Sequence, residues 1–450
     1  MPPERGDRRR ARACWWLAVA LYEEARATFE QAGDRGGLAR ALTAKGNVLL
    51  DHGDTTRAVA MYTEALTIAR GIGHERTVSQ ALSNLAIARR RTGDLEGSLA
   101  FNRQALAIRR TIGDRANEAV SLNNIGNVLL DRGDLAGAAR HYDEAAAIHR
   151  QIGDRRGLAR ALNNAAAALK EEGRLPAALA ANQEALAIRR DIGDSMGVSI
   201  SLFNIGEVLS LQGDFAGGTR HLEEALALQR KLEIGRGVAF SLHVLGKVAL
   251  AQGDTALART RVQEAIDIRT KLGEKVTAAT SQVELSLVAL ATGNPAEAEQ
   301  LAAAAIAVFA GTNRDTEAVA RIALANATLA AGRAPAALTE ATRAWDLVRG
   351  SQNAIARLTT AIALARIRGL VQPASATAAL AALQDAEAQA RSLGMVPLGF
   401  EAALIQAEIA ARQHRTDADA RLAALIKDAR TRGFVSIAAR ASALRTPPKT

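Results

Sequence analysis

Gly53, Gly93, Gly133, Gly173, Gly213, Gly253 and Gly293 stand 40 residues apart, and Gly332 follows one residue short of the next mark. Self-similarity at such a period means that one small unit is copied many times, each copy stacking on the next because it cannot bury its apolar face alone. A length of 450 residues would otherwise suggest about three globular domains. The repeat replaces that expectation with a solenoid, and function must then lie on the long surface of the stack. Aromatic residues are 3% of the chain, prolines number 9, and alanine is abundant. Helices with small residues at their contacts suit that composition, and a β-rich fold does not. The expected fold class is all-α.

Residues 121–160, SLNNIGNVLLDRGDLAGAARHYDEAAAIHRQIGDRRGLAR, show how one unit is built. Apolar and small residues recur at helical spacing on both sides of Gly133-Asp134, predicting two amphipathic helices joined by a tight turn. Gly133 can take the left-handed conformation that ends the first helix, and Asp134 can accept hydrogen bonds from the N–H groups that open the second. Gly33-Asp34, Gly113-Asp114, Gly153-Asp154 and Gly193-Asp194 repeat the same pair of roles. Ala25, Ala65, Ala105, Ala145, Ala185, Ala225, Ala265 and Ala305 form one column of the second helix, where small side chains permit close helix approach. Gly46, Ala86, Gly126, Ala166, Gly206, Gly246 and Ser286 form the matching column of the first. The Leu42, Leu82, Leu122, Leu162, Leu202, Leu242 column and the Ile68, Ile108, Ile148, Ile188, Leu228, Ile268 column supply the predicted core between them.

Ile125, Gly126, Gly133, Asp134, Ala138, Tyr142 and Ala145 together resemble the pattern of the tetratricopeptide repeat family. That family's usual unit is about 34 residues, so this chain resembles a longer variant common in bacterial signalling proteins and cell-polarity adaptors. The resemblance implies an α-solenoid of stacked antiparallel helix pairs forming a right-handed superhelix, with the first helices lining a concave groove. The domain reading is a disordered basic N-terminus over 1–12, an incomplete first repeat over 13–40 and a regular array over 41–310. Degenerate repeats and a closing helix follow over 311–445, with a disordered tail over 446–450. Gly332 breaks the register, while Pro373 and Gln413 stand where turn glycines belong. The stretch Lys427–Arg445 resembles the closing helix at the tail of bacterial multidomain regulators and serine/threonine kinases.

Asn84, Asn124, Asn164 and Asn204 recur once per repeat, with Asn47, Asn123, Asn127 and Asn163 at neighbouring groove-facing positions. An amide offers a donor and an acceptor together, so a ladder of them can pair with successive peptide units of an extended ligand. In related adaptors the matching asparagines hold a bound peptide's backbone, and the resemblance implies that role here. The same amides could instead bond neighbouring helices and fix the geometry between repeats. Arg90, Arg91 and Lys170 add positive charge to this face and Asp51, Asp131 and Glu171 negative charge, so no single sign dominates. Arg90 and Lys170 join the candidate groove residues. Arg70, Arg110, Arg150, Arg190 and Arg230 end the second helices, where a cation favours the dipole and the last carbonyls. Glu24, Glu64, Glu144, Glu184, Glu224 and Glu264 read as solvated or paired.

No catalytic constellation emerges. The seven histidines are scattered, with no metal-binding H-E-x-x-H. The glycines sit singly in turns rather than in a phosphate-binding loop. Cys14, beside Trp15 and Trp16, has no partner to activate it, and a single cysteine fits a reducing compartment. The expectation is no enzyme, no metal and no cofactor. A net charge of +10 is dispersed rather than clustered, which resembles the codon bias of a GC-rich bacterial genome more than a nucleic-acid footprint. No run reaches the ~18 apolar residues of a membrane span. Arg8 to Tyr22 imitates a secretory signal, but the apolar core before a cleavage point after Ala20 is too short. The expected location is cytoplasmic. The leading expectation is thus a scaffold whose groove takes a peptide or helix of a partner protein, without nucleic acid or membrane. The alternative is the sensory or autoregulatory C-terminal arm of a bacterial transcription regulator or serine/threonine kinase whose effector domain lies upstream.

Overall fold

Helix, turn and helix alternate along the chain because a glycine closes nearly every corner, followed by a capping aspartate at most corners up to Asp254. The computed structural model describes residues 20–413 and 418–445. The basic segment 1–12, Cys14, Trp15, Trp16 and the tail 446–450 lie outside the described residues. At the central corner Gly133 has φ +80°, and the Gly133 and Asp134 N–H groups donate back to the Leu130 and Leu129 carbonyls at 3.0 and 2.9 Å. The Asp134 carboxylate then accepts from the Gly137 N–H at 2.9 Å and opens the next helix.

Contact density divides the chain into residues 1–165 and 166–450. The first unit contains a helix over 20–31 (α1), then α2 (Arg35–Asp51), α3 (Thr55–Gly71), α4 (Glu75–Arg91), α5 (Leu95–Thr111), α6 (Arg115–Asp131) and α7 (Leu135–Gln151), and it ends within α8 (Arg155–Glu172). The second continues as α9 (Leu175–Asp191), α10 (Ser195–Leu211), α11 (Phe215–Lys231), α12 (Gly235–Ala251), α13 (Thr255–Lys271), α14 (Lys275–Ala291) and α15 (Pro295–Phe309). It closes with α16 (Arg314–Ala330), α17 (Ala334–Val348), α18 (Ala354–Val371), α19 (Ala376–Ser392), α20 (Val396–Arg412), α21 (Ala418–Thr431) and α22 (Val435–Arg445). Among the described residues there is no strand, and successive helices pack as antiparallel pairs, so the fold is an all-α solenoid.

The small-residue columns explain the pairing. Ala65, Ala105, Ala145, Ala185, Ala225, Ala265 and Ala305 are wholly buried, and each second helix nests against its first through them. Gly46 and Gly126 let tyrosine rings lie on the helix backbone, since a Cβ there would meet Tyr62 at 2.4 Å and Tyr142 at 2.6 Å. Leu42, Leu82, Leu122, Leu202 and Leu242 fill the space between repeats at no more than 1% exposure.

First helices of successive repeats also touch, α2 with α4 and α4 with α6 in the first unit, and α10 with α12 and α14 with α16 in the second. Second helices meet through long side chains, as in Arg190–Glu224 at 3.1 Å and Arg230–Glu264 at 2.9 Å. Within each unit the first helices therefore hold the inner side of the bend. After Phe309 the helices become uneven, with α15 and α17 at 15 residues and a short 3-10 turn at Pro373–Ser375. The last helices of the second unit return onto earlier corners of that unit. Phe434 sits 5.0 Å from Phe215 and 4.4 Å from Phe400, ring centre to ring centre. It also lies over Gly213, where a Cβ would meet the ring at 2.7 Å.

Candidate functional site

The asparagine-rich face of the first unit is assembled from α2, α4, α6 and the first part of α8. Asn47 on α2 is exposed, and its Oδ1 accepts from Tyr62 Oη at 2.8 Å and from Asn84 Nδ2 at 3.0 Å. Asn84 itself is 6% exposed and accepts from Gln80 at 3.4 Å. Two repeats on, the half-buried Asn127 accepts from Tyr142 Oη at 2.8 Å. Each tyrosine, bedded on its glycine, turns the amide so that Oδ1 faces the ring and Nδ2 faces away. Neither Asn47 nor Asn127 has an acceptor for Nδ2 among the described residues. Asn124 is half-buried and makes no hydrogen bond to a described residue. Asn123 and Asn163 are buried, and Asn164 Nδ2 reaches Asn123 Oδ1 at 3.4 Å. The asparagines are thus partly joined across repeats and keep amide capacity turned to the inner face.

Arg90 is not free on this face: its Nε and Nη2 grip the Asp131 carboxylate of the next repeat at 2.5 and 3.3 Å. Arg91 reaches the Leu50 carbonyl and lies 3.6 Å from Asp51. Sequence reading treated these charges as independent contributions to the groove, whereas they are ties between neighbouring first helices.

The first-helix face of the second unit has a different character. Lys170 at the end of α8 bonds Glu207 of α10 at 2.6 Å. Burial opposes both charges, but the attraction outweighs it, holding Lys170 above and Glu207 below their ordinary values. Lys247 on α12 and Glu284 on α14 continue the row, giving one charge of alternating sign per repeat. Glu171 is raised by burial and by the nearby Glu207 and Asp315 carboxylates, while Lys170 acts the other way. Asn204 stands beside this row, its Nδ2 3.4 Å from Asn182 Oδ1. Only Lys170, Glu171 and Asn204 stood out in the sequence, because the residue type in this row changes at every step.

His243, 9% exposed, faces Ser281 Oγ at 3.1 Å. Burial, Lys247 and Arg269 together hold its pKa well below the usual imidazole value. The unfolded chain takes up this proton near pH 6.5 and the folded chain does not, so the stability conferred by a neutral His243 is complete above about pH 6.5 and is lost as pH falls below it. Between pH 7 and pH 5.5 the native chain should lose about 1 kcal/mol more than His243→Gln. Urea unfolding at both pH values checks this, and parallel losses would clear His243 of the effect.

A second device escaped the sequence reading. Arg109, 1% exposed, donates from Nη1 to the Asn117 carbonyl at 3.0 Å and to Ser121 Oγ at 2.6 Å. Arg189 does the same with Gly197 and Ser201, both at 2.8 Å, and Arg269 with Thr277 at 2.9 Å and with Ser281. These arginines bind α5, α9 and α13 to α6, α10 and α14, the first helices of the following repeats. The exposed neighbours Arg110, Arg190 and Arg230 instead pair with Glu118, Glu224 and Glu264 at 2.9, 3.1 and 2.9 Å.

Among the described residues no helix is long and apolar enough to cross a membrane, and no three His, Cys, Asp or Glu side chains gather as a metal site. His141 and His221 each turn Nδ1 to a carbonyl of their own helix, at 2.8 and 2.9 Å.

No curated protein sequence matches the chain. Among solved structures it is similar to a Rap protein complexed with competence and sporulation factor, at 14% identity over 82% of this chain and 99% of that one, TM-score 0.58. It is also similar to the Rap conjugation gene regulator of plasmid pLS20 in complex with the Phr* peptide, at 14% identity over 75% and 95%, TM-score 0.53. A third is the signal transduction ATPase with a tetratricopeptide repeat sensor from Pyrococcus horikoshii, at 16% identity over 75% of this chain and 55% of that one, TM-score 0.51. At such identities the likeness establishes the fold. A family model described as tetratricopeptide repeat matches residues 10–71, 77–151, 117–191 and 197–271, more than half of the chain. With glycine–aspartate corners, nested alanines and paired helices all in place, this chain belongs to the tetratricopeptide repeat family.

Proposed function

We propose that the protein is a non-catalytic scaffold, and that the asparagine-bearing first-helix face of its first unit holds an extended peptide segment of a partner protein. The observation that carries this is the orientation of Asn47 and Asn127, whose Oδ1 atoms are occupied by tyrosines while their Nδ2 groups stay available, with Asn124 unengaged between them. Amides fixed at one end and open at the other suit backbone recognition, because every peptide unit offers the complementary carbonyl and N–H. Rap structures of the same fold solved with competence and sporulation factor and with the Phr* peptide support the reading. Replacing Asn124 and Asn164 together by alanine should weaken a peptide from a pulled-down partner by about tenfold or more, as expected for two lost hydrogen bonds. Melting should change little, since the long Asn164–Asn123 contact at 3.4 Å is the one bond to a described residue that is removed. A falling melting temperature with unaltered affinity would assign these amides to packing between repeats.

A second reading is favoured by the tetratricopeptide sensor of the Pyrococcus horikoshii ATPase, which shares the fold. The chain would then be the sensory arm of a transcription regulator or kinase, still gripping its ligand through the same face. A coding frame for an effector domain running continuously into Met1 in the genome would favour this reading, and an in-frame stop close upstream would remove it.

A further inference from the structure

Glu284 differs from every other charged side chain in the alternating row. It lies on α14 in the same repeat position as Asn84, Asn124, Asn164 and Asn204, on the first-helix face of the second unit. Its side chain belongs to a residue only 8% exposed, and no hydrogen bond or ion pair joins it to any described residue. Lys170 and Glu207, three and two repeats earlier in the row, satisfy each other at 2.6 Å. Arg321 on the following first helix is already taken by Glu317 and Glu340, at 2.8 and 2.6 Å. Lys247 acts electrostatically on both Glu207 and Glu284 yet bonds neither. The second unit therefore keeps one nearly buried acceptor and one exposed donor, adjacent and both unoccupied.

An isolated carboxylate held away from water loses solvation that only a cation or a proton can restore. Apolar packing could occupy the same position without that cost, as Val244 does one repeat earlier at 6% exposure. We propose that Glu284 is the recognition residue for a cationic side chain, lysine or arginine, of an extended peptide, and that Lys247 receives a carbonyl or carboxylate of the same peptide. This rests on the peptide-binding reading of first-helix faces above and concerns the face of the second unit by itself. An ammonium or guanidinium at Glu284 gains a charge-assisted bond in a site where water is already largely excluded, which makes it a discriminating contact.

The test uses the full chain and four fluorescein-tagged decapeptide pools, randomised except for a central arginine, citrulline, norleucine or glutamate, with anisotropy as the readout. The arginine pool should bind about tenfold or more tightly than the citrulline pool. Glu284→Gln should bring that ratio to near unity while leaving the citrulline affinity unchanged. Glu284→Lys should shift preference to the glutamate pool, with thermal melting confirming that both variants fold. If all pools bind alike, or if the arginine preference survives Glu284→Gln, the groove reading stands and Glu284 is not a recognition residue. If no pool binds, the groove reading and this inference fail together.

Discussion

Replacing Arg269 by alanine is expected to destabilise the second unit by about 2–4 kcal/mol. The guanidinium, in a residue 1% exposed, fills the joint between α13 and α14, bonding the Thr277 carbonyl and Ser281 Oγ and lying 4.8 Å over the Phe240 ring. Burial lowers its pKa to about 10, with Glu274 acting in the opposite direction, so it remains cationic at neutral pH. Alanine would leave a cavity and take the guanidinium donor from Ser281 Oγ, which keeps only His243, partly offset by release from the cost of burying a charge. Methionine separates these effects, since it keeps most of the volume and sheds the charge. Arg269→Met should stay within about 1 kcal/mol of the native chain. Urea unfolding gives the totals, and hydrogen exchange of α13 and α14 shows whether the loss is local, as nearest-neighbour stacking requires. A methionine variant as unstable as the alanine variant would mean that the hydrogen bonds, not the packing, hold the joint.

The repeats contain an internal control for that argument. Arg109, Arg189, Gln229 and Arg269 are each followed twelve positions later by Ser121, Ser201, Ser241 and Ser281, whereas Ala69 and His149 are followed by Ala81 and Ala161. Gln229 confirms the pairing, its Oε1 accepting from Ser241 Oγ at 2.7 Å. This covariation was present in the sequence and went unread, because an arginine beside another arginine at a helix end reads as a solvated charge. What the sequence did show was whatever stays constant in a column: the turn glycines, the capping aspartates, the nested alanines and the leucine core. Those columns sufficed for helix, turn and stacking. They could not show how side chains combine between columns, such as the Arg90–Asp131 tie or the tyrosine-held amides of Asn47 and Asn127. Nor could they show the return of Phe434 onto Gly213 and Phe215, a contact between segments far apart in sequence with no shared pattern. The charged row from Lys170 to Glu284 was hidden for a related reason, since its members are drawn from different repeat positions, 37, 40 and 37 residues apart, and share no single column.

Gly126→Ala should destabilise the first unit by about 1–3 kcal/mol, although alanine is intrinsically the better helix residue by about 1 kcal/mol. The added Cβ would meet three ring atoms of Tyr142, at 2.6, 2.8 and 2.9 Å. Tyr142 is wholly buried and tied to Asn127 at 2.8 Å, so its ring cannot withdraw without breaking that bond. The repeats again indicate the rule. Gly46, Gly126, Gly206 and Gly246 face Tyr62, Tyr142, Leu222 and Val262 sixteen positions on, whereas Ala86, Ala166 and Ser286 face the smaller Asn102, Asn182 and Ala302. The effect of Gly126→Ala should therefore change sign with its partner. Alone it destabilises; in a Tyr142→Asn background, which reproduces the Ala166 and Asn182 pairing, the same change should stabilise by up to about 1 kcal/mol. A double-mutant cycle by urea unfolding measures the coupling directly, and equal effects in both backgrounds would place the strain elsewhere than against the ring. The single variant also links packing to recognition, since displacing Tyr142 releases the Asn127 amide from the orientation that the proposed peptide site requires. Gly126→Ala should consequently weaken peptide binding at temperatures where the unit remains folded, a loss that stability alone does not produce.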